Sequence, residues 1–159
     1  MAGMTTTGTE ELSRMFEQLG EEAGHIAAKA LYDGADVVAD AYNAAVASIQ
    51  TEPFKYVTEG SGQQRLPSPE EKAMLQRKAG IAKFRKAGSE VQTLVGIAEG
   101  YGGLVGRRKA YKQIANAINS GTSFMVKQPV FRKAASQSRA AAQAAMIRTA
   151  EAEIKKITG

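Results

Sequence analysis

The feature that most constrains this fold is a run of small residues at helical spacing in the first third of the chain. From Glu21 onward, Ala23, Ile26, Ala27, Ala30, Leu31, Gly34, Val38, Ala41, Ala45 and Ile49 recur at steps of three and four. The spacing predicts one long amphipathic helix over Glu21–Ile49 whose contact face is mostly small. Such a face lets a partner helix approach toward ~8 Å between axes, the short end of the usual range. Upstream, Thr9 reads as an N-cap, with Glu10 and Glu11 in the first turn, where acids favour the helix dipole. Leu12, Met15, Phe16 and Leu19 fall on one face, and Gly20 is expected to end or kink this opening helix. Residues 1–8 read as a disordered N-terminus.

The middle of the chain changes period. Residues 50–67 hold Pro53, Gly60, Gly62 and Pro67 with few apolar residues, and predict a long exposed loop. Ser68-Pro69-Glu70-Glu71 is a capping box with proline at the first helical position, opening a short helix that ends at Gly80. Ile81–Lys86 and Glu90–Ile97 read as two strands of a hairpin, with Val91, Thr93 and Val95 on its buried face. Glycines 96, 100, 102, 103 and 106 predict a flexible connector, followed by a helix near Ala110–Asn119. In that helix Ile114, Ala115 and Ile118 form an apolar stripe, and Asn119-Ser120-Gly121 stops it, with Gly121 as the left-handed residue past its end. Gln128-Pro129 opens the closing helix with proline in its first turn, and Phe131 and Arg132 follow at once. In that helix Phe131, Ala134, Ala141, Ala144, Ile147, Ala150, Ile154 and Ile157 are expected to share a face. The fold class predicted is α+β: a small antiparallel sheet built on the central hairpin, packed by long N-terminal and C-terminal helices.

Length and composition bound the rest. A chain of 159 residues reads as a single domain over 9–159. Hydrophobic residues make up 43%, much of that alanine, and there is no Trp, so the core is thin and favours burial against neighbouring subunits. The absence of cysteine removes disulfides and thiolate chemistry and fits assembly in a reducing cytoplasm. No run approaches the ~18 apolar residues of a membrane span, and Met1–Gly8 lacks the pattern of a secretion signal. Membrane partners are therefore not expected.

Charge is split along the chain. Residues 1–71 carry twelve acids against four bases, and residues 72–159 carry seventeen bases against four acids, within a net charge of +5. Either the first and last helices pack together and neutralise each other, or acidic and basic surfaces face opposite ways, which suits head-to-tail contacts.

Motifs for catalysis are sparse, and the chain is not expected to be an enzyme: no catalytic, cofactor-binding or metal-binding residues are assigned, and no cofactor is expected. His25 is the only histidine and sits in an acidic, alanine-rich helix, where a surface role is the ordinary one. With one His and no Cys, zinc would have to be held by carboxylates, an unusual ligand set. The glycine cluster 100–106 lacks the Lys-Ser/Thr pair of a phosphate loop, and Val105 breaks the dinucleotide spacing. Gly103-Leu104-Val105-Gly106 with Arg107, Arg108 and Lys109 matches the Gly-x-x-Gly of single-stranded RNA modules, but no helix pattern precedes it. The basic groups Lys83/Arg85/Lys86, Arg107/Arg108/Lys109/Lys112 and Arg132/Lys133 are candidates for contact with an acidic partner or with DNA passing through a channel. Their ordinary alternative is solvation or surface ion pairs worth ~0–1 kcal/mol each. Only Tyr101 and Tyr111 lie near them, which disfavours recognition of single strands by stacking.

The order of elements from Ile118 to Ala134 (short helix, Ser-Gly-Thr-Ser stop, Gln-Pro, Phe-Arg-Lys-Ala, long basic helix) resembles a family of long-tailed bacteriophage proteins. These are the gene-product-ten-like tail-component or neck proteins of the head–tail junction. Leu12–Gly20 leading into an alanine-rich helix, Gly80-Ile81-Ala82-Lys83, Thr93-Leu94-Val95-Gly96 and Gly100-Tyr101-Gly102 extend the resemblance over roughly residues 9–157. Gln50-Thr51-Glu52-Pro53-Phe54 departs from the family's Pro-x-Asp-Thr-Gly step. The resemblance implies a structural virion protein at the neck or tail top, assembled in the host bacterial cytoplasm. It also implies a homo-oligomeric ring, sixfold if it follows tail-tube symmetry, between head-closure or connector proteins and tail terminator or tube proteins. Within the family motif, Gly121, Pro129, Phe131 and Arg132 would have structural roles, and contact with passing DNA would be transient and non-specific. The alternative is a nucleic-acid-binding module that uses the basic C-terminal half.

Overall fold

The computed structural model describes residues 8–87, 90–98, 101–102 and 109–159. Its frame is an antiparallel pair of helices, α1 (Gly8–Ala47) and α4 (Val130–Thr158). Tyr42 stacks on Phe131 with ring centroids 5.5 Å apart, Gly34 faces Met146, and Lys29 pairs with Glu153 at 2.6 Å, so the two chains run in opposite directions. A compact head forms where α1 ends and α4 begins. There Val46, Ile49, Leu75, Ile114, Ala115, Ile118, Met125 and Phe131 make the main hydrophobic cluster. Besides α1 and α4, the head contains α2 (Pro69–Lys78) and α3 (Tyr111–Ser120). The α+β class is as expected: long terminal helices pack around small antiparallel ladders.

The central hairpin pairs β1 (Ala79–Ile81) with β4 (Val95–Ile97), and β2 (Arg85–Ala87) with β3 (Glu90–Gln92). Ala79 faces Ile97, but Arg85 faces Gln92, so the register slips by one between the two ladders. Three residues, 82–84, therefore oppose two, 93–94, which is a β-bulge. The Ala82 amide donates to the Leu94 carbonyl at 2.7 Å and the Thr93 hydroxyl donates to the Ala82 carbonyl at 2.7 Å, holding the bulge. Val91, Thr93 and Val95 are half-buried while Leu94 is 75% exposed, matching the alternation read from the sequence. The glycine-rich connector is more ordered than expected at its ends: β5 (Tyr101–Gly102) pairs with β6 (Lys109–Ala110).

Several sequence expectations are corrected by packing. Helix α1 passes through Gly20 without a break, and Thr9 lies inside it rather than capping it. A single glycine costs only about 1 kcal/mol, which a cooperative forty-residue helix absorbs. Residues 1–7 of the N-terminal segment lie outside the described residues, and Gly8 already belongs to α1. In α4 the buried positions are Phe131, Ala134, Ser138, Ala142 and Ala145, whereas Ala141, Ala144, Ile147 and Ile154 are exposed, with Ile147 at 58%. Close approach to α1 selects the small stripe and leaves the isoleucines outside. Pro129 is the cap residue of α4, one position before its first turn. The Arg132 amide is satisfied instead by the Asn119 side chain, whose oxygen accepts at 3.2 Å.

The loop at 50–67 is exposed over most of its length, but its ends are stitched down. Gln50 and Gln128 exchange backbone–side-chain hydrogen bonds of 2.9 and 3.1 Å. Arg65 bridges to the segment around Met125 through amide–carbonyl bonds with Phe124 and Val126. The capping box is present as expected: the Ser68 hydroxyl accepts from the Glu71 amide, and the Glu71 carboxylate accepts from the Ser68 amide. Helix α1 has no base in its own last turn, and Lys72 of α2 supplies one, donating to the carbonyls of Ala47 and Ile49 at 2.6 and 3.0 Å. Gly121 takes φ +75°, the left-handed stop read from the sequence.

One ion pair joins the first and last helices among the described residues. The cross-helix pair Lys29–Glu153 places the base on the acidic helix and the acid on the basic one. Hydrogen bonds from Lys156 and then Lys29 hold the Glu153 carboxyl down at about 2, from an ordinary value of 4.5. A carboxyl lowered in the folded state contributes stability above its unfolded value and loses it as pH falls. The Glu153→Gln variant should therefore melt below the parent at pH 6, and the difference should shrink between pH 4.5 and 2. Melting curves across that range test it; a constant difference down to pH 2 would rule it out.

Candidate binding groove

A groove of about 1080 Å³ opens in the head between the hairpin, α3 and the first turns of α4. Five cations line it, delivered by four separate elements. Arg77 and Lys78 come from the last turn of α2, where bases complement the helix dipole. Arg85 stands at the start of β2 just past the bulge, Lys112 in the first turn of α3, and Arg132 in the first turn of α4. No carboxylate lines the groove among the described residues. Its apolar parts come from Tyr42, Ile81, Ile97, Leu94 and Phe131, and Asn116 and Asn119 add amides. Lys78 sits 5.5 Å from the centroid of the Tyr111 ring, which steers its ammonium along the rim. Cations of one sign on a concave, partly apolar wall focus potential, so the groove attracts an anionic surface that also carries apolar groups.

The candidates read from the sequence divide. Arg85, Lys112, Phe131 and Arg132 meet in the groove, while Lys83 and Lys133 are exposed and do not line it. Lys86 and Lys109 hold strand positions in β2 and β6, but their side chains lie outside the described residues, as do Arg107 and Arg108 entirely. Gly121 and Pro129 act at helix ends close to the groove, not in it. Arg77 and Lys78 were missed. Their signal was present as a basic pair just before Gly80, but it reads as a helix ending until the hairpin folds back beside it.

No protein-family model, curated protein or solved structure matches this chain.

Among the described residues no three His, Cys, Asp or Glu side chains gather as a metal site, and His25 is exposed on α1 away from the groove. No helix is long and apolar enough to cross a membrane among the described residues. The groove offers hydrogen-bond donors and positive charge, with no nucleophile–base pair among its lining residues. That arrangement can bind an anion or an acidic surface.

Proposed function

We propose that this chain is a structural protein of a tailed-phage particle, a neck or head–tail connector subunit (a tail-completion component) that closes into a ring around the DNA channel. The observation that carries the reading is the groove, which places five cations and no described carboxylate on one end of a rigid helical pair. The order of elements over residues 9–157, which resembles the neck family, gives the groove its setting. In that setting the groove meets an acidic neighbour in the ring, or the connector and tail-tube proteins above and below it. Its lysines and arginines would touch passing DNA only transiently, because tight phosphate contacts would add drag.

The test is to locate and count the chain in purified particles by electron microscopy and quantitative mass spectrometry. Several copies at the junction of head and tail are expected; absence from particles overturns the reading. Reversing Arg85, Lys112 and Arg132 to glutamate should lower the melting temperature by no more than about 6 °C, since exposed charge changes usually cost under ~0.5 kcal/mol each. The same variant should leave heads and tails unjoined. Normal joining would mean that the groove is not used.

The groove also favours a second reading, a nucleic-acid-binding module. Five phosphate contacts would give a slope of about −4.5 in log affinity against log salt. Nanomolar binding of free duplex by the isolated chain near physiological salt, with that slope, would favour the module over the connector.

A further inference from the structure

Antiparallel pairing with unequal lengths leaves part of α1 unpartnered. Lys29 stands level with Glu153, and α4 ends at Thr158, so the partner helix runs out near residue 24. Burial follows: Ile26 and Ala30 are buried against α4, whereas residues 20–25 are all exposed. The rest of α1 back to Gly8 projects about 24 Å past the end of α4, at ~1.5 Å per residue. The stripe that packs on α4 continues along this arm as Leu19, Phe16 and Met15, and Phe16 is 65% exposed. By helical periodicity Glu22 borders the stripe beside Met15, while Glu17 and Glu21 lie on the opposite face. The arm is therefore an acidic amphipathic helix with nothing on its apolar face among the described residues.

The groove has the complementary character: apolar walls from Phe131 and Leu94, and basic rims from Arg85 and Arg132. An arm cannot reach the groove of its own chain. Phe16 and Tyr42 lie on one unbroken helix, about 39 Å apart at ~1.5 Å per residue. We propose that the α1 arm of one copy docks in the basic groove of a second copy, with Phe16 and Leu19 on its apolar wall and Glu22 toward Arg85 and Arg132. Arm-to-arm pairing would instead place carboxylates against carboxylates. The inference rests on the reading above only in taking the chain to self-associate. It deepens that reading by naming the segment and the socket. Because arm and socket lie at opposite ends, each copy offers one of each, and the contact builds a closed assembly where its rotation closes and an open filament where it does not.

The parent sequence contains no cysteine, so introduced thiols report contacts without background. Phe16→Cys and Leu94→Cys alter side chains that are 65% and 75% exposed, so folding should survive. Mixed and mildly oxidised, the two full-length variants should form a covalent pair on a non-reducing gel, and neither should link efficiently alone. Glu22→Lys should weaken self-association severalfold, and Arg85→Glu with Arg132→Glu roughly tenfold. Mixing these two charge-reversed chains should restore association, because a reversed arm then meets a reversed groove. Efficient linking of Phe16→Cys to itself overturns the proposal. So does preferential linking to Ile147→Cys on the outer face of α4, or a monomeric mass with no link at high concentration. A link through Ile147 in particles that do carry the chain would refute the contact and leave the connector reading standing. An arm–groove link in a closed pair of copies, with none in virus particles, would do the reverse.

Discussion

Replacing Glu71 with alanine should cost about 3–4 kcal/mol, because it removes one partner of a largely buried pair and half of a capping box together. The Glu71 carboxylate takes both guanidinium nitrogens of Arg65 at 2.7 Å, and the two side chains are only 9% and 11% exposed. One of its oxygens also accepts the Ser68 amide at 2.8 Å. With the acid gone, Arg65 keeps its charge but loses its counterion, and the Ser68 amide is left buried without an acceptor. Arg65 also lies 5.1 Å from the centroid of the Phe54 ring and clamps the loop to residues 124–126, so its loosening spreads. At roughly 2–4 °C per kcal/mol for a domain of this size, the melting temperature should fall by about 10 °C. Replacing both partners by apolar residues, Arg65→Met with Glu71→Leu, should recover most of the loss, because no unpaired charge remains. A loss below about 1 kcal/mol for Glu71→Ala would show that water already screens the pair.

Gly34→Leu should destabilise by about 3 kcal/mol, the upper range for overpacking a filled interface. A Cβ at Gly34 would lie 2.6 Å from Met146 Cγ, 2.7 Å from Met146 Cε and 3.2 Å from the Ala142 carbonyl oxygen. The methionine can rotate, but the Ala142 backbone cannot move without parting α1 from α4. Gly20 is the internal control: nothing lies within 4 Å of a Cβ built there. Gly20→Ala should therefore stabilise by roughly 0.5–1 kcal/mol through helix propensity alone. Pairing Gly34→Leu with Met146→Ala should restore part of the loss, since the two sites share one space. Chemical denaturation of the three variants measures these differences. Equal effects at Gly34 and Gly20 would show that the helices are not in close contact at Gly34.

Much of the frame was legible because its signals are local. The Ser68–Glu71 box, the Gly121 stop and the alternation along Val91–Val95 each depend on residues within a few positions of one another. The bulge at 82–84 was not legible, because register is settled by pairing across the hairpin. The α4 contact face was misread for a related reason. Ranking positions by hydrophobicity picks Ile147 and Ile154, whereas past Phe131 the buried positions of α4 are alanine and serine.

The candidate site shows the same division. Its cations were visible one by one in the sequence, but Arg77, Lys78, Arg85, Lys112 and Arg132 come from four separate elements, and only the folded head brings them to one groove. Sequence alone determined where α2 starts, where α3 stops and how charge is distributed along the chain, since capping and composition act over a few residues. Tertiary structure decided which faces are buried, that α1 outruns α4, and which bases share a cavity. Those outcomes depend on close packing between segments more than a hundred residues apart, such as Lys29 and Glu153, and no local pattern encodes that distance.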